Sequence, residues 1–198
     1  MESIFTKIYR ENFWGGESRS GLGSDLVQTE TIRTSLPKLF KELEIKSLLD
    51  IPCGDFFWLK EVNLDFLSYI GADIVDDIVK NNSEKFSKPN RQFIKLNIIK
   101  DELPKVDLML CRDLLPHFSF KDLFKAIRNI KASGSKYFLT TSHVLSQKNV
   151  NIKTGEFHDL NLLLPPFSFP KPLRIIDERC PVVFDPGKSL MLWKISDL

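Results

Sequence analysis

The fold of this chain is decided by the stretch Ser47-Leu48-Leu49-Asp50-Ile51-Pro52-Cys53-Gly54-Asp55, followed by a second apolar run, Tyr69-Ile70-Gly71-Ala72-Asp73. Short runs rich in Leu and Ile that stop at a turn residue are typical of strands buried on both faces of a parallel sheet. In open α/β sheets ligands bind outside the carboxyl ends of the strands, where a glycine lets the backbone approach the ligand closely. The two runs therefore predict the first two strands of an α/β protein, with a ligand site at the ends of these strands.

Further strands and helices alternate along the chain, as in α/β proteins. Apolar runs predict strands near residues 47–50, 68–74, 92–97, 106–111, 136–141, 173–177 and 189–195. Helical spacing predicts helices at 26–43, 57–62, 76–86 and 119–132. Pro37 predicts a break in the first helix, and Ser119 with Asp122 predicts a capping box at the start of the last. The joint between the last two strands, about a dozen residues with Pro181 and Pro186, is too short for a crossover helix, so these strands should be antiparallel.

The glycine turn lacks the features of a dinucleotide site. A pyrophosphate calls for G-x-G-x-x-G at a helix N-terminus, whereas Gly54 is followed by Asp55, whose charge would repel phosphate. Asp73 lies close to the roughly 20-residue offset at which a carboxylate after the second strand accepts ribose hydroxyls. A cofactor with a sulfonium, an ammonium and a ribose suits a pocket that holds Asp50, Asp55 and Asp73. These residues predict S-adenosylmethionine as the cofactor.

The sequence contains D-x-P-C-G-D-F-x-W at residues 50–58 and Y-I-G-x-D at residues 69–73, and with these motifs it resembles the class I S-adenosylmethionine-dependent methyltransferases. Within that family it is similar to a small bacterial type associated with saccharide and surface-polysaccharide biosynthesis. The resemblance implies a Rossmann-like, seven-stranded, mostly parallel sheet of strand order 3-2-1-4-5-7-6, with strand 7 antiparallel and helices on both faces. The alternative is that residues 50–54 form a plain strand-to-helix turn in another doubly wound protein.

The resemblance also implies a set of cofactor contacts at strand ends and in the N-terminal arm. Asn97 stands where the family commonly has an acid that binds the adenine amino group. Its side-chain carbonyl can accept the same hydrogen bond, and the residue could equally cap the turn. The candidate cofactor-binding residues are Asp50, Gly54, Asp55, Asp73, Ile74, Asn97, Ile98, Arg112 and Trp14.

The loop after the fourth strand has the sequence Cys-Arg-Asp-Leu-Leu-Pro-His at residues 111–117. In the family this loop lies beside the methyl group that is transferred, so His117 and Asp113 are the candidate catalytic residues. Methyl transfer needs a base only if the acceptor is a hydroxyl or a protonated amine, and histidine titrates near neutral pH. The alternative is that His117, which follows Pro116 and precedes a helix, makes only a structural hydrogen bond.

Two further segments are rich in polar groups. Residues 1–25 form an N-terminal arm whose aromatic residues, glycines and hydroxyls suit a mobile lid, with a disordered tail as the alternative. Residues 142–170 form an unusually long connection after the fifth strand, which the resemblance places over the acceptor pocket. The candidate substrate-binding residues in and near these segments are Arg19, Arg33, His143, His158 and Asn161.

Composition limits the remaining classes of function. The chain has 198 residues, of which 42% are hydrophobic, and a net charge of +2, so it can form one full domain (1–198) and has no strong field for nucleic acid or an anionic membrane. Its cysteines, Cys53, Cys111 and Cys180, lack metal-ligand spacing, so we expect reduced thiols and no metal. No apolar stretch is long enough for a signal peptide or a membrane span, so we expect a cytoplasmic protein.

Together these features predict a methyltransferase that uses S-adenosylmethionine to methylate a small molecule. The resemblance favours O-methylation of a sugar or of a capsular or surface-polysaccharide precursor, that is, a sugar-like or anionic acceptor. One alternative is an N-methyltransferase that acts on an amino sugar or small amine. Another is a non-catalytic S-adenosylmethionine-binding module. The sequence leaves the oligomeric state open.

Overall fold

The computed structural model describes residues 1–180 and 187–198, and the chain divides into two compact units, Met1–Asn97 and Ile98–Leu198. The elements of the first unit are α1 (Glu2–Glu11), α2 (Glu30–Glu42), β1 (Ser47–Asp50), β2 (Ser68–Asp73), α3 (Asp76–Phe86) and β3 (Arg91–Lys95). The elements of the second unit are β4 (Leu108–Cys111), α4 (Phe120–Ala132), β5 (Tyr137–His143), β6 (Arg174–Asp177) and β7 (Lys188–Lys194). Short 3-10 turns lie at Leu22–Ser24, Leu59–Glu61, Leu115–His117 and Ile195–Asp197.

The seven strands form one sheet in the order β3-β2-β1-β4-β5-β7-β6, which confirms the predicted strand order. β1 with β2, β2 with β3, and β4 with β5 are parallel pairs. β7 is antiparallel to both β5 and β6, as predicted from the short joint before it. Pro181 and Pro186 of that joint lie outside the described residues. In the first unit Asp50 pairs with Gly71, which brings the glycine turn after β1 next to the end of β2.

Burial explains why these runs form strands. In the second unit β4 and β5 are buried along their whole length, as strands covered on both faces are. In the first unit the ring of Phe56, just after the glycine turn, lies 5.3 Å from Tyr69, 5.4 Å from Phe86 and 5.3 Å from Phe93 between ring centroids. This aromatic packing joins the segment after β1 to β2, α3 and β3.

The helices differ from the prediction at three points. α2 runs through Pro37 without a break, because the buried residues on either side, Leu36 and Leu39, keep this face packed. The segment 57–62 forms only a 3-10 turn, since Phe56 has a φ of +58° and Val62 is extended, which leaves too few residues for an α-helix. α1 lies inside the predicted arm, for which no helix was expected.

Helix α4 begins as predicted, at the Ser119 cap. Ser119 Oγ accepts the N–H of Asp122 at 3.3 Å. The second half of the cap comes from Thr154, whose hydroxyl donates to Asp122 Oδ2 at 2.8 Å and accepts the N–H of Ser119 at 3.1 Å. The long segment after β5 is therefore fastened to the start of α4 within the second unit.

In residues 1–180 and 187–198, no helix is long and apolar enough to span a membrane. Among the same residues, no group of three or more His, Cys, Asp and Glu side chains is placed to hold a metal ion. None of the three cysteines, all of which lie in the described residues, forms a disulfide. Burial raises the pKa of Cys53 well above its ordinary value, so that Cys53 packs as a thiol.

Candidate functional site

The glycine turn after β1 is held from two sides. The N–H of Gly54 donates to Asp73 Oδ2 at 3.2 Å, and the N–H of Cys53 donates to the carbonyl of Ala72 at 2.8 Å. From α3, Asn82 Nδ2 donates to the carbonyl of Gly54 at 2.7 Å. Gly54 has a φ of +52°, which residues with a side chain rarely adopt. The turn is therefore fixed to both β2 and α3 within the first unit.

Asp73 ends β2 as a buried carboxylate, with 4% of its surface exposed. Its Oδ1 accepts the N–H of Val75 at 3.0 Å, beside the bond from Gly54 to Oδ2. Burial raises the pKa of Asp73 to about 6, the backbone N–H groups of Val75, Gly54 and Ile74 oppose the rise, and the charge of Asp55 adds to it. Each carboxylate oxygen has a second lone pair, so this carboxylate has a fixed direction and can still accept hydroxyl groups.

Asp50, a predicted cofactor contact, is engaged inside the first unit. The hydroxyl of Tyr69 donates to Asp50 Oδ2 at 2.7 Å, and both residues are buried. Burial and the charge of Asp50 raise the pKa of Tyr69 well above its ordinary value, so the phenol keeps the proton that makes this bond. The pair joins β1 to β2 just before the glycine turn.

Asp55, another predicted cofactor contact, holds the N-terminal arm. Its Oδ1 accepts the hydroxyl of Ser18 at 2.8 Å, and its Oδ2 accepts the N–H of Arg19 at 2.9 Å. Ser20 Oγ lies 3.2 Å from Asp55 Oδ1 and accepts the N–H of Asp55 at 3.1 Å. Hydrogen bonds to an ionised carboxylate are among the stronger ones in proteins. We call Ser18, Arg19, Ser20 and Asp55 the arm clasp.

Ser20 lies directly over the glycine turn. A Cβ atom at Gly54 would collide with Ser20 Oγ. From the sequence, the glycine was expected to let a ligand approach the backbone, and in this structure the group that approaches is Ser20. The absence of a side chain at Gly54 is therefore required for the docked position of the arm.

The first part of the arm is fixed to α3 and β3. Arg10 Nε on α1 donates to Asp77 Oδ2 at 2.7 Å, and Lys95 Nζ lies 2.7 Å from Glu2 Oε1 and 2.8 Å from Asp76 Oδ2. These pairs are exposed, so each adds little to the free energy of unfolding. Together with the arm clasp they connect residues 1–25 to the rest of the first unit.

Trp14 and Arg19, predicted to bind cofactor and substrate, contact the arm itself. The side chain of Trp14 packs against Gly21, where an added Cβ would lie 2.9 Å from the Trp14 Cβ. The guanidinium of Arg19 lies 5.7 Å from the ring centroid of Tyr9. Both side chains therefore stabilise the folded arm.

The other predicted residues near the end of the first unit are Arg33, Asn97 and Ile98. Arg33 Nη2 donates to the carbonyl of Leu26 at 2.9 Å, while its Nε is buried without a hydrogen-bond partner among the described residues. Asn97 is half-buried and follows β3. Ile98, which begins the second unit, is buried, and its carbonyl accepts Asn129 Nδ2 at 2.8 Å.

In the second unit Arg112 lies in a buried network of four charges. Its Nη2 donates to Glu178 Oε2 at 2.6 Å, and its Nη1 lies 3.0 Å from Asp113 Oδ2. Lys188 Nζ donates to Asp113 Oδ2 at 2.6 Å and lies 3.9 Å from Glu178 Oε2. Burial works against the charge of Arg112, but the two carboxylates raise its pKa. The network joins the loop after β4 to the residues that follow β6 and begin β7.

Asp113 is a weak candidate for a base. Burial alone would raise the pKa of Asp113, but the charges of Arg112 and Lys188 hold it well below its usual range. Its Oδ1 also accepts the hydroxyl of Thr141 at 3.1 Å, and its N–H donates to Thr141 Oγ1 at 2.9 Å. The geometry therefore favours a role for Asp113 in fixing the loop after β4 over the predicted role as a proton acceptor.

His117 has the geometry that an oriented base requires. Its Nδ1 lies 2.9 Å from the carbonyl oxygen of Glu156. Because a carbonyl can only accept, Nδ1 carries the proton in the neutral ring, and Nε2 has the lone pair. The carbonyl of Glu156 therefore orients the ring of His117.

His143, His158 and Asn161 differ in how far their polar atoms are already used. His143 Nδ1 accepts the N–H of Leu160 at 3.0 Å. Asn161 Nδ2 donates to the carbonyl of Ser146 at 3.0 Å, and its Oδ1 accepts the N–H of Leu163 at 3.1 Å. The two ring nitrogens of His158 are buried and have no hydrogen-bond partner among the described residues. Of these three predicted substrate residues, His158 has the most unused hydrogen-bonding capacity.

Sequence reasoning found the turn and the loop but missed their partners. The missed residues are Ser18, Ser20, Tyr69, Thr141, Glu178 and Lys188. Glu178 and Lys188 had a signal, since a charged residue directly beside an apolar strand must be paired when it is buried. The serines had none, because nothing in the local pattern around residues 18–20 points to Asp55.

Comparisons with known proteins connect this arrangement to one fold. No protein-family model matches the chain, and no curated protein matches its sequence. Among solved structures, human N-acetylserotonin methyltransferase in complex with SAM matches with a TM-score of 0.58 at 14% identity, over 94% of this chain and 61% of that one. The fold is that of the Rossmann-like methyltransferases.

Two bacterial structures match over most of both chains. The 1,6-didemethyltoxoflavin-N1-methyltransferase of Burkholderia thailandensis, solved with 1,6-didemethyltoxoflavin and S-adenosylhomocysteine, has a TM-score of 0.64 at 13% identity, over 98% of this chain and 86% of that one. Magnesium protoporphyrin IX methyltransferase of Synechocystis PCC 6803, with bound SAM, has a TM-score of 0.58 at 11% identity, over 98% and 96%. At such identities the likeness shows the fold alone.

The raised pKa of Asp73 predicts a pH dependence of stability. A carboxyl whose pKa is higher in the folded than in the unfolded chain contributes stability that is full below about pH 4 and is lost as the pH rises through about 6. The free energy of unfolding lost in this way is about 3 kcal/mol. We expect the difference in free energy of unfolding between the wild type and Asp73→Asn, measured in urea, to fall by about this amount from pH 4 to pH 7.

Asp65→Asn is the matched control for this titration. Asp65 is an exposed carboxyl whose pKa is lowered by the hydrogen bond and charge of Lys88. Its contribution therefore changes with pH in the opposite direction. If the difference in free energy of unfolding between the wild type and Asp73→Asn stayed constant from pH 4 to pH 7, the pKa of Asp73 would not be raised.

The arm clasp predicts protection from trypsin after Arg19. Asp55→Ala removes the acceptor for the arm, so the exposed Arg19–Ser20 bond should be cut at least about tenfold faster, because charge-assisted hydrogen bonds are worth roughly 1.5–3 kcal/mol each before local compensation. Mass spectrometry of the early fragments measures the rate. Asp65→Ala, which removes a carboxylate that does not touch the arm, is the control. Equal rates in both variants would mean that the arm is held elsewhere.

Proposed function

We propose that this chain is an S-adenosylmethionine-dependent methyltransferase that acts on a small molecule. The observation that carries the proposal is the buried carboxylate of Asp73, bonded to the glycine turn in a chain with the Rossmann-like methyltransferase fold. The human, Burkholderia and Synechocystis structures are of methyltransferases with SAM or S-adenosylhomocysteine bound. These bound molecules support the cofactor proposed for this chain.

The residues at the ends of β1 and β2 fit that cofactor. Asp73 can accept the ribose hydroxyls, and the turn at Gly54 carries no helix N-terminus that would favour a pyrophosphate, since only a 3-10 turn follows it. Ile74 and Asn97 follow the neighbouring strand ends and are proposed to contact the adenosine. Ile98 and Arg112 stay predicted cofactor contacts.

Three predicted contacts are assigned an indirect role. Asp50 fixes the end of β1 through Tyr69, and Asp55 and Trp14 act through the arm. We propose that the arm is a lid which opens at the clasp and closes again over the bound cofactor, because Ser20 occupies the space above Gly54.

His117 is the proposed base. When bound, S-adenosylmethionine would supply an electrophilic methyl group to an acceptor oxygen attacking in line, its S–CH3 bond would break, and the thioether S-adenosylhomocysteine would be the leaving group. As the new O–CH3 bond forms, the acceptor hydroxyl loses its proton, and Nε2 of His117 is the atom that takes it. The bond from Nδ1 to the Glu156 carbonyl fixes the tautomer and stabilises the imidazolium that results. The charge network around Arg112 and Asp113 holds the loop that carries His117.

The acceptor is the least constrained part of the proposal. O-methylation of a sugar or surface-polysaccharide precursor in the cytoplasm stays a prediction from sequence resemblance. An N-methyltransferase on a small amine would use the same residues, and a non-catalytic S-adenosylmethionine-binding module would not need His117. Turnover with a panel of acceptors, followed by the release of S-adenosylhomocysteine, separates the enzyme from the binding module.

Cofactor binding tests the proposal directly. We expect S-adenosylmethionine to bind with micromolar-scale affinity in calorimetry and NAD not to bind. Asp73→Ala should weaken binding about 10- to 100-fold, because hydrogen bonds to a charged carboxylate are worth roughly 1.5–3 kcal/mol. Since the ribose needs the ionised carboxylate, wild-type affinity should also fall below about pH 6. Asp65→Ala should bind like the wild type. Unchanged affinity in a folded Asp73→Ala protein would contradict the assignment.

The role of His117 predicts a kinetic signature. With an accepted hydroxyl substrate, His117→Asn should lower kcat about 10²- to 10⁴-fold, the range for losing a general base, while the affinity for S-adenosylmethionine stays nearly the same. The rising limb of the pH profile of kcat/KM should disappear. Glu156→Gln keeps the carbonyl that orients the ring and should leave the rate unchanged. An intact rate with a flat profile in His117→Asn would exclude the base.

A further inference from the structure

The side chain of His158 is buried without a hydrogen-bond partner. Only 8% of the residue is exposed, and neither ring nitrogen has a partner within residues 1–180 and 187–198. Buried polar atoms in folded proteins are nearly always hydrogen-bonded, so an exception of this kind among the described residues marks a place where a further hydrogen-bonding group can bind. Burial and the nearby charges of His143 and His117 lower the pKa of His158, while the charge and the backbone of Asp159 oppose the fall. The neutral ring offers one donor and one acceptor.

The surroundings of His158 are aromatic. The ring of Phe120 lies 6.3 Å from the imidazole, and Phe167 meets Phe120 edge-on at 5.2 Å. Phe124 lies 5.2 Å from Phe167, and Phe157 lies 5.5 Å from His117. We call Phe120, Phe124, Phe157 and Phe167 the aromatic cluster.

Two members of the aromatic cluster are open to solvent. Phe124 is 47% exposed and Phe157 is 52% exposed. Large aromatic side chains usually bury most of their surface, and exposed ones beside a buried polar group are typical of ligand sites. The ring of Phe157 also lies 5.9 Å from that of His143, so two of the three histidines lie next to one exposed ring, and the third, His158, follows Phe157 in the chain.

The polar side chains next to this cluster already make hydrogen bonds within the chain. Each end of the Asn161 amide makes one hydrogen bond, and Nδ1 of His143 accepts a backbone N–H. A saccharide presents a hydroxyl on nearly every carbon and loses affinity for each one left unpaired. A flat apolar ring with one polar edge has fewer hydrogen-bonding groups, so it loses much less affinity.

We propose that His158 and the aromatic cluster bind a planar aromatic or heteroaromatic acceptor through a hydroxyl or ring N–H on its edge. That polar group bonds to the His158 imidazole, while the ring stacks on Phe157 or Phe124. Because the imidazole nitrogens are shielded from solvent, the side chains packed around His158 shift as the ligand enters. That the ligand is the methyl acceptor rests on the proposed function, whereas its binding does not.

Histidine-selective NMR can test the site, because the chain has only three imidazoles. The full chain is labelled with ¹⁵N-histidine, saturated with S-adenosylhomocysteine and titrated with 7-hydroxycoumarin, with methyl α-D-glucoside as the saccharide probe. We expect the ring ¹⁵N signals of His158 to shift saturably with 7-hydroxycoumarin and not with the glucoside. The fluorescence of 7-hydroxycoumarin gives the affinity in the same samples.

Variants then distinguish binding of 7-hydroxycoumarin at this site from binding elsewhere on the protein. His158→Phe, which replaces the imidazole with an apolar ring, and Phe157→Ala should each weaken 7-hydroxycoumarin binding at least about tenfold. Phe66→Ala is the matched control, since Phe66 lies in the first unit with 55% exposure, close to that of Phe157. Circular dichroism checks that each variant is folded, and Phe157→Ala tests the site even if His158→Phe does not fold.

Each other outcome overturns the proposal. A shift of the His158 signals with the glucoside alone would indicate a saccharide site. If 7-hydroxycoumarin bound equally well to Phe157→Ala, its binding site would lie elsewhere. No shift with either probe would make His158 a buried core histidine. In all of these cases, Asp73-dependent binding of S-adenosylmethionine would still support the methyltransferase, so the two proposals fail separately.

Discussion

The buried carboxylate of Asp73 is the constraint on which the first unit depends. It accepts backbone N–H groups from the turn after β1 and from the start of α3, so one side chain sets the relative positions of three segments. Burial opposes its ionisation, which is the form needed to bind hydroxyl groups. The residue therefore shows a familiar conflict, in which a group arranged for binding makes the folded chain less stable than an apolar one would.

The second unit uses buried charge for a different purpose. The pairs formed by Arg112 and Lys188 with Asp113 and Glu178 balance two positive against two negative charges, so the network as a whole is neutral. Replacing one partner would leave an uncompensated charge in a buried place, which costs far more than the pair contributes. Such a network contributes mainly a defined position, and here the positioned segment is the loop that leads to His117.

Much of the fold followed from local pattern. Apolar runs ending at Asp50 and Asp73 marked the strands well because burial on both faces leaves little choice of residue. Helices were harder, since Pro37 is tolerated where packing on both sides is strong, and Phe56 stops a helix through a backbone angle that no side-chain pattern shows. In each case tertiary packing outweighed local preference.

The residues of the candidate site also differ in how well their positions could be predicted from the sequence. Asp73 and Gly54 could be placed from spacing, because strand ends in this fold hold ligands. The partners of Asp55 and Arg112 could not, since Ser18 lies 37 positions from Asp55 and Glu178 lies 66 positions from Arg112. A carboxylate that is free to bind a ligand and one that is already bonded to the chain look identical in a sequence.

At the centre of the arm clasp, Asp55 contacts Arg19 through the backbone. Asp55 holds Arg19 by its backbone N–H, while the side chain of Arg19 points to Tyr9 and stays exposed. Any residue except proline can supply that N–H. A substitution or a fluorescent label at position 19 would thus lose the contact with the Tyr9 ring but keep the backbone hydrogen bond to Asp55.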